Sequence, residues 1–160
     1  MSTKADFNAD DWDLLRSAPA MASLLVVAAS PSGPVGLIQE STAASNMMTE
    51  AAATAQTPLL KSLAEDVTQT MTIPRPPAAA TPEQVQQAGA EILRPASALL
   101  AAKATPEEAV EVREWLANIA QATAEAAKEG GFLGIGGTLV SDEEKAALNT
   151  IHAALGLTVA

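Results

Sequence analysis

Apolar residues recur along this chain three and four positions apart, and prolines, glycines and hydroxyl-bearing residues stand between the recurrences. That rhythm predicts amphipathic helices. Leu60, Leu63, Val67 and Met71 form one stripe, and Val85, Ala88, Ile92 and Leu93 a second. Val112, Leu116, Ile119 and Thr123, with Trp115 flanking them, form a third; Ala147, Leu148, Ile151 and Leu155 form the last. One segment, 20–29, is apolar on every side. With no second convincing strand for it to pair with, it reads as a fully buried central helix.

The helix starts are written into the sequence. Thr81-Pro82-Glu83-Gln84, Thr105-Pro106-Glu107-Glu108 and Ser141-Asp142-Glu143-Glu144 each place a hydroxyl at the cap and a Glu or Gln three residues later. The hydroxyl accepts from the amide at the third helical position, whose own side chain reaches back to the cap amide. Proline at the first helical position loses nothing, because that amide has no intrahelical partner. Asn8 caps an earlier helix expected to run through Arg16, with Asp10, Asp11 and Asp13 at its positive end. Trp12 and Leu15 supply its apolar contact, and Pro19 then opens the segment 20–29.

The breaks complete the outline. Residues 30–34 interrupt the chain, a helix follows from 35 to about 56, and Thr57-Pro58 starts another. Residues 74–80 form a Pro-rich linker between an N-terminal part, 1–73, and a C-terminal module, 81–160, of one helical domain. Pro95 is expected to kink or end a helix at Arg94, with 96–103 continuing it. Gly130-Gly131 and Gly156 end the last two helices. The fold expected is an all-α bundle of five to seven helices, its segments 82–103, 106–129 and 142–155 forming an antiparallel C-terminal module.

Composition narrows the function more than the fold. The 160 residues suit one domain. The apolar fraction of 48% is largely alanine, with two Trp, two Phe and no Tyr, so the core depends on many small contacts. Nineteen acidic residues against nine basic ones give a formal charge of −10, which repels phosphate backbones and argues against nucleic-acid binding. Without cysteine, disulfides, thiolate nucleophiles and cysteine metal sites are excluded. Aspartates precede the first apolar run, unlike a signal peptide, and ten residues are too few to span a hydrocarbon core of ~30 Å. A soluble, cytoplasmic protein without a transmembrane segment is expected.

No constellation of side chains spells out a reaction. Glu107, Glu111 and Glu114 share a helix face, but a di-metal bundle needs Glu-x-x-His pairs and the only histidine, His152, lacks one. Those glutamates read as a solvated face, and His152 as a helix-end cap or core-edge residue. The loop 130–138 has five glycines but no Gly-Lys-Ser/Thr, so it is not a phosphate loop. Its Phe132, Leu133 and Ile135 either tuck back over the bundle as a plug or dock on a partner, and they are the candidate interaction residues. Met21, Met47, Met48 and Met71 read as core filling. No catalytic residue, metal ligand or cofactor is expected.

Residues 137–157, a glycine turn followed by Thr-Leu-Val-Ser-Asp-Glu-Glu and a helix ending Leu-Gly-Leu, resemble the closing helical hairpin of tellurite-resistance TerB-like domains. The resemblance implies a helical domain responsive to divalent metal. The family's acidic Asp-Gly turn is replaced here by Ile135-Gly136-Gly137, so its metal binding does not carry over. With the glycine-rich loop included, the chain also looks similar to small bacterial helical proteins that imply no activity.

Three functions are compatible with this reading. The first is a non-enzymatic helical module that binds a protein partner or itself. The second is a carrier of an apolar small molecule or lipid, in a pocket lined by Leu24, Leu25, Val27, Met47, Met48 and Leu63. The third is a metal-responsive module of the TerB-like kind.

Overall fold

A computed structural model describes residues 1–30, 33–70, 80–129 and 140–158, together with the side chains in those ranges except those of Pro34 and of 127–129. Six α-helices account for most of it: α1 (Ala9–Ala29), α2 (Gly33–Thr54), α3 (Pro58–Gln69), α4 (Pro82–Lys103), α5 (Pro106–Glu129) and α6 (Asp142–Leu155). A single 3-10 turn, Lys4–Asp6, precedes them, and there is no strand among the described residues.

Local chemistry sets the helix starts. At α4 the Gln84 amide donates to Thr81 Oγ1 (3.3 Å) and the Thr81 amide to Gln84 Oε1 (2.9 Å). The same reciprocal pair joins Thr105 to Glu108 at α5 and Ser141 to Glu144 at α6. Asn8 and Asp11 form a fourth box at α1. Each satisfies two amides that the first turn leaves without partners, worth about 1 kcal/mol apiece. At the other end of α6, Gly156 adopts φ 70°, and the Leu157 amide donates to the His152 carbonyl at 2.9 Å. Glycine takes that left-handed turn without a Cβ penalty.

The first two helical segments of the sequence reading are one. Pro19 lies inside a continuous α1 of 21 residues rather than opening a second helix. Its missing amide and its ring cost about 3 kcal/mol in an isolated helix. Here Leu15, Ala18, Pro19 and Ala22 are all buried, and packing on both sides of the proline outweighs the lost bond. Pro95 is likewise interior to a continuous α4, with its ring exposed on the outer side.

Helices α1 and α5 are the axis of the bundle, since each touches all five others. They run in the same direction: Ser2, just before α1, meets Glu108 at the start of α5, and Ser23 meets Thr123 near its far end. Helix α4 returns along α1, with Lys103 bonded to Asp11 at one end and Gln86 to the Leu25 carbonyl at the other. Helix α2 lies antiparallel on α5, and α6 fills the gap between α4 and α5.

The buried cluster joins residues from both sides of the Pro-rich linker, among them Leu25, Leu63, Leu93, Leu116 and Ile151. On α5 the predicted stripe is fully buried: Val112, Leu116, Ile119 and Thr123 have no exposure. The Thr123 hydroxyl donates to the Ile119 carbonyl (2.8 Å) and lies 3.2 Å from Ser23 Oγ. A hydroxyl has one hydrogen, so the Ser23 hydroxyl closes that second bond and both buried groups are satisfied. On α4 the buried face is Val85, Gly89, Leu93, Ala96 and Leu100, so Ala88 of the expected stripe turns outward and Gly89 takes the inner position.

Among the described residues one helix, α1, is long and apolar enough by length and composition to cross a membrane, a longer apolar helix than the ten residues 20–29 suggested. Half of that apolar window is packed inside the bundle, and Asp10, Asp11, Asp13 and Arg16 occupy its first turns. Those are the features of a bundle's core helix.

Candidate functional site: a groove between two helices

Two helix faces with the same spacing meet across the open side of the bundle. Helix α2 contributes Met47, Glu50, Ala51 and Thr54; α5 contributes Glu111, Glu114, Trp115 and Asn118. Both sets follow i, i+3, i+4, i+7, the spacing of one helical face over two turns, about 10 Å. Between them lies a solvent-open groove of about 430 Å³, closed at one end by Ala55 and Leu60 from the α2–α3 connection and α3.

Its floor is apolar and held in place. Trp115 is 5% exposed, and its Nε1–H donates to the Met47 carbonyl at 3.4 Å, tying the two helices. Met47 is half-buried, Met48 beside it is buried in the core, and Leu60 is buried under the groove's end.

The three glutamates of the groove differ. Glu111 is not part of a solvated face: its Oε1 accepts from the Gln56 amide (2.6 Å) and its Oε2 from the Thr57 amide (3.1 Å). It pins the turn between α2 and α3, and both its oxygens are occupied. Glu50 and Glu114 are exposed, and their carboxylates have no hydrogen-bond or ion-pair partner among the described residues. Among the described residues no lysine or arginine lines the groove. Arg113, next to Glu114 in sequence, is turned toward α4, where it donates to the Ser97 carbonyl at 2.8 Å.

Beyond Glu114 and Asn118 the surface dips again into a more polar hollow of about 340 Å³, shared with Ala117, His152, Leu157 and Thr158. His152 Nδ1 lies 2.8 Å from the Leu148 carbonyl, one turn back on its own helix. A carbonyl only accepts, so Nδ1 carries the proton and Nε2 is the ring's acceptor. Of the two positions expected of it, helix-end cap or core edge, the half-buried ring takes the second, since the Leu148 carbonyl lies inside α6 and not at its end.

The other residues singled out in the sequence scatter. Glu107 is exposed, while its neighbour Glu108 is 1% exposed and bonds the Ser2 and Thr105 amides at 2.7 and 3.0 Å. Of the six residues proposed to line a carrier pocket, only Met47 borders the groove; Leu25 and Leu63 have no exposure at all. Phe132, Leu133 and Ile135, Met71, and the linker apart from Ala80 lie outside the described residues. So does the turn 135–137 where the TerB-like resemblance would place its metal. Among the described residues no three His, Cys, Asp or Glu side chains are grouped to hold a metal ion.

No family model, no curated protein and no solved structure matches this chain. The groove must therefore be read from its own chemistry. Sequence reasoning passed over it because neither helix face is conspicuous alone. The signal available was Trp115, a large amphipathic side chain flanking rather than joining the buried stripe, and Trp is enriched where surfaces meet partners.

Proposed function

We propose that this protein is a non-enzymatic helical interaction module, working in the cytoplasm, that receives a segment of a protein partner in the groove between α2 and α5. The observation that carries the reading is the matched pair of helix faces around a Trp115–Met47–Leu60 floor. A valley two turns long between antiparallel helices suits a helical segment laid into it. Methionine adapts its shape to such an occupant, and a tryptophan already ordered by a hydrogen bond loses little entropy on binding. An apolar carrier instead needs a site that encloses most of its ligand, and this groove is open along its length.

Thr54 and Asn118 are exposed residues on opposite rims, so arginine at either position obstructs the groove without entering the core. A partner recovered with the wild-type protein should be lost with Thr54→Arg and with Asn118→Arg, and kept with Gln87→Arg on the exposed side of α4. Equal recovery by all three variants would remove the groove as the binding site. A small apolar molecule retained in native mass spectrometry and lost with the rim variants would replace this reading with that of a carrier.

A further inference from the structure

Resting on the groove reading, we infer that the occupant is a short basic amphipathic helix, with its apolar stripe on Trp115 and Met47 and a lysine or arginine reaching each of Glu50 and Glu114. The two carboxylates sit at the same place in the repeated pattern, three residues into each helix face, one on each wall. Among the described residues neither has a partner and no cation lines the groove. Glu111 is excluded from the pairing because both its oxygens already hold backbone amides.

Charge decides which partner fits. An apolar or acidic segment laid over the floor would take water from Glu50 and Glu114 without replacing it, and leaving desolvated charges unpaired is costly. A basic segment replaces that water with charge-assisted hydrogen bonds. The formal charge of −10 adds long-range attraction for a cationic partner and repels nucleic acids and anionic lipid. Two turns of groove take anchors at i and i+3 or i+4, so about seven or eight residues of the partner lie within it.

The test uses the full chain and three synthetic amphipathic helices of about sixteen residues with identical apolar positions. Their polar positions carry Lys and Arg, or Gln, or Glu. Binding is followed by ¹⁵N–¹H spectra, with the Trp115 indole resonance assigned through Trp115→Phe. The basic peptide is expected to shift the Trp115 indole and the Met47 and Asn118 amides. It should bind about tenfold or more tightly than the Gln peptide, and Glu50→Gln with Glu114→Gln should erase most of that advantage. If the Gln peptide binds the same resonances equally well, the charge inference fails and the groove reading stands. If the basic peptide's shifts spread over the surface and ignore the double substitution, its attraction is non-specific and the inference fails. If no peptide moves the Trp115 indole, the inference and the groove reading fail together.

Discussion

Gly89 on α4 faces Leu25 on α1 so closely that a Cβ built on the glycine would lie 2.4 Å from Leu25 Cδ2 and 2.6 Å from its Cγ. Leu25 has no exposure, so its isobutyl group has nowhere to retreat. Glycine inside a helix costs about 1 kcal/mol relative to alanine. The close approach of the two helices outweighs that cost.

Gly89→Ala therefore sets a helix-propensity gain of about 1 kcal/mol against overpacking of about 1–3 kcal/mol. Net destabilisation of up to about 2 kcal/mol is expected by urea unfolding. Leu25→Ala alone should cost about 2–5 kcal/mol through its cavity. In the double variant the new methyl enters that cavity, so the combined loss should be smaller than the sum of the two.

Glu108 joins the segment before α1 to the start of α5. Burial raises its pKa, but the Thr105 and Ser2 groups that donate to the carboxylate pull it further the other way, leaving it below the ordinary 4.5. A depressed folded value means stability present above the unfolded value and lost as pH falls through the folded one. Glu108→Gln keeps one acceptor oxygen and turns an amide toward a backbone N–H. It should cost about 1–3 kcal/mol at neutral pH. That difference should shrink below pH 4.5, as the wild-type carboxylate itself takes up a proton.

Asp66 on α3 receives two partners on one oxygen: Lys4 Nζ at 2.5 Å and Trp12 Nε1 at 2.6 Å. The Lys4 hydrogen bond first, and then that of Trp12, hold its carboxyl below the usual 3.8. Lys4 is largely exposed, so Lys4→Met should cost less than about 1 kcal/mol and lose its effect in high salt. Asp66→Ala also strands the indole N–H of the buried Trp12, and a cost of about 1–3 kcal/mol is expected. Equal losses in thermal unfolding would mean the lysine, not the indole, carries the contact.

Glu111 gives the groove a mechanical prediction. Glu111→Gln leaves one acceptor oxygen for the two amides of Gln56 and Thr57. Hydrogen exchange at one or both amides should quicken about tenfold, with global stability falling by about 0.5–1.5 kcal/mol. If peptide binding also weakens, the α2–α3 turn is setting the shape of the groove's closed end.

The sequence by itself determined where five helices begin, because a cap involves groups within four residues: Asn8, Thr57, Thr81, Thr105 and Ser141 each accept from an amide three positions on. It also determined one buried face of α5, since four large or branched residues at helical spacing point the same way. Only the tertiary structure decided that α1 runs unbroken through Pro19, that Gly89 rather than Ala88 turns inward, and that Glu111 serves a turn 55 residues away. The groove belongs to that second group. Capping and periodicity are local energies of about 1 kcal/mol that the neighbouring residues settle. Continuity through a proline, a close helix crossing and the pairing of two distant faces depend on burial summed over the whole bundle, which no window of sequence contains.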